Sequence, residues 1–255
     1  MDINKKRRCI MKTSTYKTAA KSALNGKWGI AIGVFFLYFI ISSILGVPEN
    51  EWIFYVLMFL ISGPLYIGYQ WFHLELIRYN NPGVSTLFSG FTQNYLRNVA
   101  AYFMVNIFTI LWLLLLIVPG IIKALAYSMT YFILRDRPEV SIFQAITESR
   151  RMMDGQKKKL FILILSFLPW VIIPSALIII GLIAIFFTAS DPILFLVGTV
   201  SLIIGLIANI GISIYLMPYF TTTLAVFYAS NVPTSDPSLE PLLTDENPNL
   251  VEPTQ

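Results

Sequence analysis

Residues of the types that perform catalysis or hold metal ions are few in this 255-residue chain, and they are widely spaced. The chain has one cysteine, Cys9, and one histidine, His73. A disulfide within the chain needs two cysteines, and a conventional zinc site needs several His and Cys ligands, so neither is encoded. We therefore predict that the protein holds no metal ion and no cofactor.

Motifs that name a reaction are missing as well. The sequence has no His-Glu-x-x-His, no Gly-x-Ser-x-Gly and no Walker-type glycine loop. Catalysis inside a membrane usually depends on ionisable side chains within the spans, because a charge there is costly and persists only for function. The candidates, which we expect near an interface in structural roles, are His73, Glu75, Lys123 and Asp191. We predict that the protein is not an enzyme.

The elements that would position these residues are membrane helices. Hydrophobic residues make up 56% of the chain and charged residues 13%, against about 45–50% and 25% in ordinary soluble domains. No Asp, Glu, Lys or Arg occurs between Lys159 and Asp191 or between Asp191 and Asp236, and about 20 apolar residues already span a bilayer. The composition predicts an all-α, polytopic transmembrane helix bundle with Pro-broken helices.

The distribution of Lys and Arg predicts the orientation. Eight of the 18 basic residues lie in residues 1–27 and seven in residues 135–159, whereas the turns at 48–51 and 190–192 have none. Cytoplasmic loops carry the excess of Lys and Arg, so both basic segments and both termini are predicted to be cytoplasmic. The same rule accounts for the net charge of +4, and no nucleic-acid partner is expected. The first apolar run is too long for a signal peptide and is predicted to remain uncleaved.

Six spans follow from the apolar runs. They cover about 28–47, 52–72, 99–118, 121–134, 160–187 and 193–217. Pro119-Gly120 is the predicted outer turn between the third and fourth spans, and Pro218-Tyr219 the predicted interruption of the sixth. The organisation is thus a basic cytoplasmic segment over 1–27, a transmembrane helical domain over 28–230 and a disordered acidic tail over 231–255.

Two short amphipathic helices are predicted on the inner face. Apolar residues recur at helical spacing over residues 13–25, and Gly26 follows as a stop; these residues are Tyr16, Ala19, Ala20, Ala23 and Leu24. A second helix is predicted over residues 142–154, between a capping box at Ser141 and Gln144 and a left-handed cap at Gly155. Its inward face would hold Ile142, Ile146, Ser149 and Met153. Residues 85–96 could form a third, interfacial helix.

Small residues in two spans allow close helix packing. Gly29 with Gly33 and Ser201 with Gly205 are pairs four residues apart, which we expect to serve packing within the chain more often than dimerisation.

A basic cluster and an intramembrane cleft are the two candidate binding sites. The cluster would contact anionic lipid headgroups, or would serve only to orient the fifth span; its residues are Arg150, Arg151, Lys157, Lys158 and Lys159. The cleft would lie between the two prolines, Pro119 and Pro218; the alternative, which is favoured for either proline alone, is that it only kinks its helix for packing. The cleft residues are Pro119, Gly120, Tyr127, Trp170, Pro218 and Tyr219.

An ordered set of short motifs resembles one known family. The most informative is Ser149-Arg150-Arg151-Met152-Met153-Asp154-Gly155, accompanied by Gly26-Lys27-Trp28, Pro119-Gly120-Ile121 and Phe227-Tyr228. Together they resemble the domain of unknown function 975 family over about residues 16–229. The resemblance implies a bacterial integral membrane protein without an established activity. Where the family often has Gly-His-Lys, this chain has Gly155-Gln156-Lys157.

Three function classes remain. We favour a non-enzymatic, membrane-embedded binding or accessory protein whose partners are membrane lipids, a peptide or another membrane protein. The alternatives are a small-solute transporter or channel component, which interrupted helices would favour, and a lipid-related membrane enzyme.

Overall fold

Helices account for all the regular structure that the computed structural model describes, which covers residues 12–45, 52–79, 82–187 and 191–232. The predicted all-α class is therefore confirmed. The helices are α1 Thr13–Leu24, α2 Trp28–Leu45, α3 Trp52–Arg78, α4 Ser89–Thr92, α5 Tyr95–Leu115, α6 Ile117–Tyr127, α7 Thr130–Asp136, α8 Ile142–Met152, α9 Lys157–Leu165, α10 Leu168–Phe187 and α11 Pro192–Asn231, with a 3-10 helix at Val84–Phe88.

Four helical segments among the described residues are long and apolar enough to cross a membrane. They are Tyr95–Leu115, Ile117–Asp136, Leu168–Phe187 and Pro192–Asn231. A fifth is added if Thr13–Leu24 and Trp28–Ser43, which are bent by 95° relative to each other, are counted as one broken span. Most of the apolar surface of α10 and of the first half of α11 is exposed, as expected for helices that face lipid.

Helices α10 and α11 form a tight antiparallel hairpin. A Cβ atom on Gly181 would lie 2.7 Å from the backbone nitrogen of Leu202, and one on Gly205 would lie 2.8 Å from that of Ile178. The Ser201 hydroxyl donates a hydrogen bond to the carbonyl of Leu177 at 3.1 Å. The predicted packing role of the Ser201 and Gly205 pair is confirmed.

The first pair of small residues behaves differently. Cβ atoms on Gly29 and Gly33 would meet no atom of the described residues within 4 Å. Within the described part of the chain this pair therefore packs against no other helix, and the surface of α2 beside the two glycines is open there.

The reversal between α5 and α6 is not at Pro119-Gly120. The chain turns at Leu116, which is extended (φ −159°, ψ 137°), and α6 begins with Ile117. Pro119 therefore lies in the first turn of α6, where the N–H that proline lacks would have no partner within the helix. The predicted interruption at Pro218-Tyr219 is also wrong, because α11 runs through Pro218 over 40 residues. Neighbouring helices cover this part of α11, which is the setting in which membrane helices tolerate proline.

The two predicted amphipathic helices are present. Helix α1 buries the five apolar residues expected of it, and Gly26 has φ +72°. Helix α8 begins with the complete capping box of Ser141 and Gln144, and Gly155 has φ +72°. On the inward face of α8, Ser149 is buried together with Ile146 and Met153, and Ile142 is half-buried.

The other short segments differ from expectation. Residues 85–96 divide into the 3-10 helix, α4 and the start of α5. The predicted fifth span divides into α9 and α10 at a turn over Ser166 and Phe167.

Most of the charged residues lie at one set of helix ends, and these ends meet. We call this region the basic end, and the core lies there. Its buried side chains come chiefly from α1, the second half of α3, α7 and the last part of α11. The predicted segments at 1–11, 48–51, 188–190 and 233–255, including the acidic tail, lie outside the described residues.

Candidate functional site

A charged network ties three helices together at the basic end. Arg78, at the end of α3, donates two hydrogen bonds to the Asp136 carboxylate on α7, at 2.5 and 2.7 Å. The Tyr228 hydroxyl of α11 donates to the same carboxylate at 2.7 Å. One mostly buried acidic group thus has a cationic partner and a further donor from another helix, which is the condition for such a group to be stable there.

A second ion pair lies beside the first. Arg135 of α7 pairs with Glu75 of α3, and its guanidinium lies 4.9 Å from the centre of the Trp71 ring. The Thr86 hydroxyl donates to the other oxygen of Glu75 at 2.7 Å, and Arg135 also donates to the side-chain carbonyl of Gln93. Both carboxylates therefore join helices, which agrees with the structural role expected of Glu75.

Two further ionisable residues predicted in structural roles also have partners. The Lys123 ammonium of α6 lies 4.5 Å from the centre of the Trp112 ring on α5. The Asp191 carboxylate accepts hydrogen bonds from the backbone N–H groups of Ile193 and Leu194 and so caps the start of α11.

A stripe of uncharged polar side chains runs along the buried face of α3. Tyr66, Gln70 and His73 follow each other at the four- and three-residue spacing of one helix face. His73 is fully buried, and its Nδ1 lies 2.9 Å from the Thr222 hydroxyl of α11. Gln70 donates to the Tyr66 hydroxyl at 2.9 Å. The Gln70 carbonyl oxygen and His73 Nε2 have no hydrogen-bond partner among the described residues.

Tyrosines from three other helices surround this stripe. The Tyr66 ring centre lies 5.6 Å from that of Tyr131 on α7 and 5.9 Å from that of Tyr102 on α5. On the next turn of α3, Tyr69 stacks with Tyr38 of α2 at 4.8 Å. Sequence reasoning missed this cluster and placed His73 near an interface. The spacing of polar residues on one face of α3 was the signal that could have found it.

The predicted basic cluster lies on both sides of the Gly155 turn. The side chains that are exposed are Arg150, Arg151 and Lys158, and those that are half-buried at the start of α9 are Lys157 and Lys159. The Lys157 ammonium lies 4.0 Å from the Asp154 carboxylate.

Helix α8, which presents the two arginines, is fixed by a buried serine and by an ion pair at the surface. The Ser149 hydroxyl donates to the carbonyl of Ala126 at 2.8 Å and accepts from the backbone N–H of Met129 at 3.2 Å. Glu148 pairs with Arg137 at 2.5 Å. These contacts hold the inward face of α8 against the ends of α6 and α7.

The outward face of α8 borders an open cavity of about 390 Å³. The Phe143 ring is 60% exposed at its edge, and its centre lies 6.4 Å from that of Phe108 on α5. The residues that line this α8 groove are Val140, Phe143, Gln144, Thr147, Glu148 and Arg151. An exposed aromatic ring with polar groups around it is the arrangement typical of protein binding surfaces.

Of the residues predicted to form the intramembrane cleft, those at and after Pro119 lie against α5. Tyr127 is buried, with its ring centre 6.4 Å from that of Phe108. Gly120 is also buried, and a Cβ atom there would lie 2.7 Å from the Cα atom of Leu113. Pro119 is half-buried.

The cleft residues Pro218 and Tyr219 lie against α1 and α2. Pro218 is buried, and the Tyr219 hydroxyl donates to the carbonyl of Lys17 at 3.2 Å. The Tyr219 ring centre lies 6.5 Å from that of Trp28. Trp170 is 59% exposed on α10. The structure thus places the two proline positions in contact with different helices.

Residues 103–232 match the family described as protein of unknown function (DUF975). The match covers half of the chain, and the chain belongs to this family, as its motifs predicted. No curated protein and no solved structure matches the chain.

Proposed function

We propose that this DUF975 protein is a six-span protein of the cell membrane, with both termini in the cytoplasm, that acts as a non-enzymatic binding or accessory protein. Its partner would be held at the basic end, in the α8 groove. The partner class that suits this groove best is a peptide segment of another membrane protein, because an exposed aromatic ring and charges of both signs line it.

The observation that carries this proposal is the contrast between the two faces of α8. Its inward face is fixed by the buried Ser149, whereas Phe143 and Arg151 are presented outward. A surface that is rigid before it binds loses little conformational entropy on binding. Aromatic and arginine side chains are also the residues that most often dominate binding energy.

The test compares variants of the groove with a variant elsewhere. We expect Phe143→Ala and Arg151→Gln to reproduce the phenotype of a gene deletion at equal protein level in the membrane. Phe186→Ala removes an exposed ring from the end of α10 and should have no effect. If both groove variants fully complemented the deletion, the α8 groove would not be the binding site.

A transporter is the second candidate, and the polar stripe of α3 favours it. The Gln70 carbonyl oxygen and His73 Nε2 are buried polar atoms without a partner among the described residues, and such atoms often mark functional sites. The purified protein would be reconstituted into sealed vesicles and solute or proton flux measured. Flux that His73→Asn and Gln70→Leu abolish, while Phe143→Ala leaves it intact, would replace the binding proposal with transport.

A further inference from the structure

An open cavity of about 420 Å³ lies at the 95° bend between α1 and α2. Its volume is within the usual range for small-molecule sites. The residues that line it are Thr18, Lys21, Ser22, Asn25 and Trp28. The Thr18 hydroxyl already donates to the carbonyl of Ser14. The Lys21 ammonium and the Asn25 amide are the lining groups from which a phosphate oxygen would accept hydrogen bonds.

The charges near this cavity are positive. Neither α1 nor α2 contains an acidic residue, and Lys21 is exposed. Lys17, one turn away, donates to the carbonyl of Ser166 at 3.2 Å and lies 4.2 Å from the centre of the Phe167 ring. Partial burial lowers the pKa of the Lys17 ammonium.

The cavity lies at the depth of lipid headgroups if α11 spans the membrane. Trp28 stacks on Tyr215 of α11, with ring centres 4.6 Å apart. The distance along α11 from Pro192 to Tyr215 is about 35 Å, which is close to the bilayer's hydrocarbon thickness of about 30 Å. Trp and Tyr side chains concentrate at that boundary.

Helix α2, which begins at the cavity with Trp28, has an exposed apolar surface. Phe36, Phe39 and Ile40 are exposed on this helix, and no described atom lies within 4 Å of a Cβ placed on Gly29 or Gly33. A molecule with a phosphate in the cavity would therefore have room for an acyl chain along the same helix.

We propose that the bend between α1 and α2 binds an anionic phospholipid of the inner leaflet, with its phosphate beside Lys21 and its acyl chain along Gly29 and Gly33. This site is separate from the α8 groove, and only its assignment to the inner leaflet rests on the proposed orientation.

The test measures retention of dioleoyl phosphatidylglycerol by the full chain in neutral detergent, using native mass spectrometry. Lys21→Gln should weaken binding about fivefold, because one lysine near anionic lipid contributes about 1 kcal/mol. Lys12→Gln removes the same charge from the other end of α1 and should leave binding unchanged. Gly33→Leu fills the open surface and should also weaken retention of the long-chain lipid.

Three results would overturn the proposal. Equal losses from Lys12→Gln and Lys21→Gln would show general attraction to a basic surface. Equal retention of dioleoyl phosphatidylcholine would show that the net charge of the lipid is irrelevant. Displacement of phosphatidylglycerol by millimolar inorganic phosphate would assign the cavity to a soluble phosphate compound instead.

Discussion

Gly68 and Leu87 are in direct backbone contact: a Cβ atom on Gly68 would overlap the carbonyl oxygen of Leu87 and lie 2.7 Å from its carbonyl carbon. Gly90 makes the corresponding contact with Pro64, whose carbonyl carbon would lie 2.8 Å from a Cβ atom on the glycine. The 3-10 helix and α4 therefore lie on the backbone of α3 at two points. Only glycine allows this approach, so the position of the 3-10 helix and α4 depends on the absence of a side chain at Gly68 and at Gly90.

Gly68→Ala is expected to destabilise the fold by about 1–3 kcal/mol, since the added methyl group must push backbone away. Gly211→Ala is the control, because a Cβ atom there meets no described atom within 4 Å and alanine favours the helix. Thermal unfolding in detergent should show a lower midpoint for the first variant only. Equal midpoints would mean that the two segments do not touch.

Asp136→Asn should destabilise the basic end by about 2 kcal/mol, because Arg78 loses a charged acceptor in a mostly buried place. Tyr228→Phe removes a single hydrogen bond to the same carboxylate and should cost less. The unfolding midpoints of the two single variants and the double variant would be compared. Strictly additive effects would contradict a shared network.

Ser149→Ala should loosen α8 by about 1–3 kcal/mol, because the buried N–H of Met129 loses its acceptor. Ser141→Ala removes only the exposed cap and should cost about 1 kcal/mol. Hydrogen exchange of residues 142–152 measures both. Thr147→Ala, on the outward face, should leave exchange unchanged. If Thr147→Ala accelerated exchange as much as Ser149→Ala does, the buried contacts of Ser149 would not be what holds the helix.

The proposed orientation predicts which cysteines an impermeant thiol reagent reaches in intact cells. In a Cys9→Ser background, cysteines placed at Leu116 and Ile193 should react, because both exposed positions lie at the predicted outer ends of their helices. A cysteine at Thr147 should react only after the cells are opened. The reverse labelling pattern would show that the protein has the opposite orientation in the membrane.

Local signals predicted α1 and α8 well. Both helices have apolar residues at helical spacing and a glycine stop, and α8 also has a capping box, so neighbouring residues alone determine their ends. The predicted interruption at Pro218 was wrong because membrane helices tolerate proline where neighbouring helices cover it. Those neighbouring helices come from distant parts of the sequence. The burial of His73 likewise depends on Thr222, which is 149 residues away.

The length of α11 has a mechanical consequence. Its 40 residues measure about 60 Å, twice the hydrocarbon thickness of a bilayer. The exposed first half and the buried last part belong to one continuous helix, with Pro218 at their junction. A tilt of this helix as a whole by about 5° moves one end relative to the other by about 5 Å. Lateral pressure on the α10–α11 hairpin would thus be transmitted as a displacement of Thr222 and Tyr228.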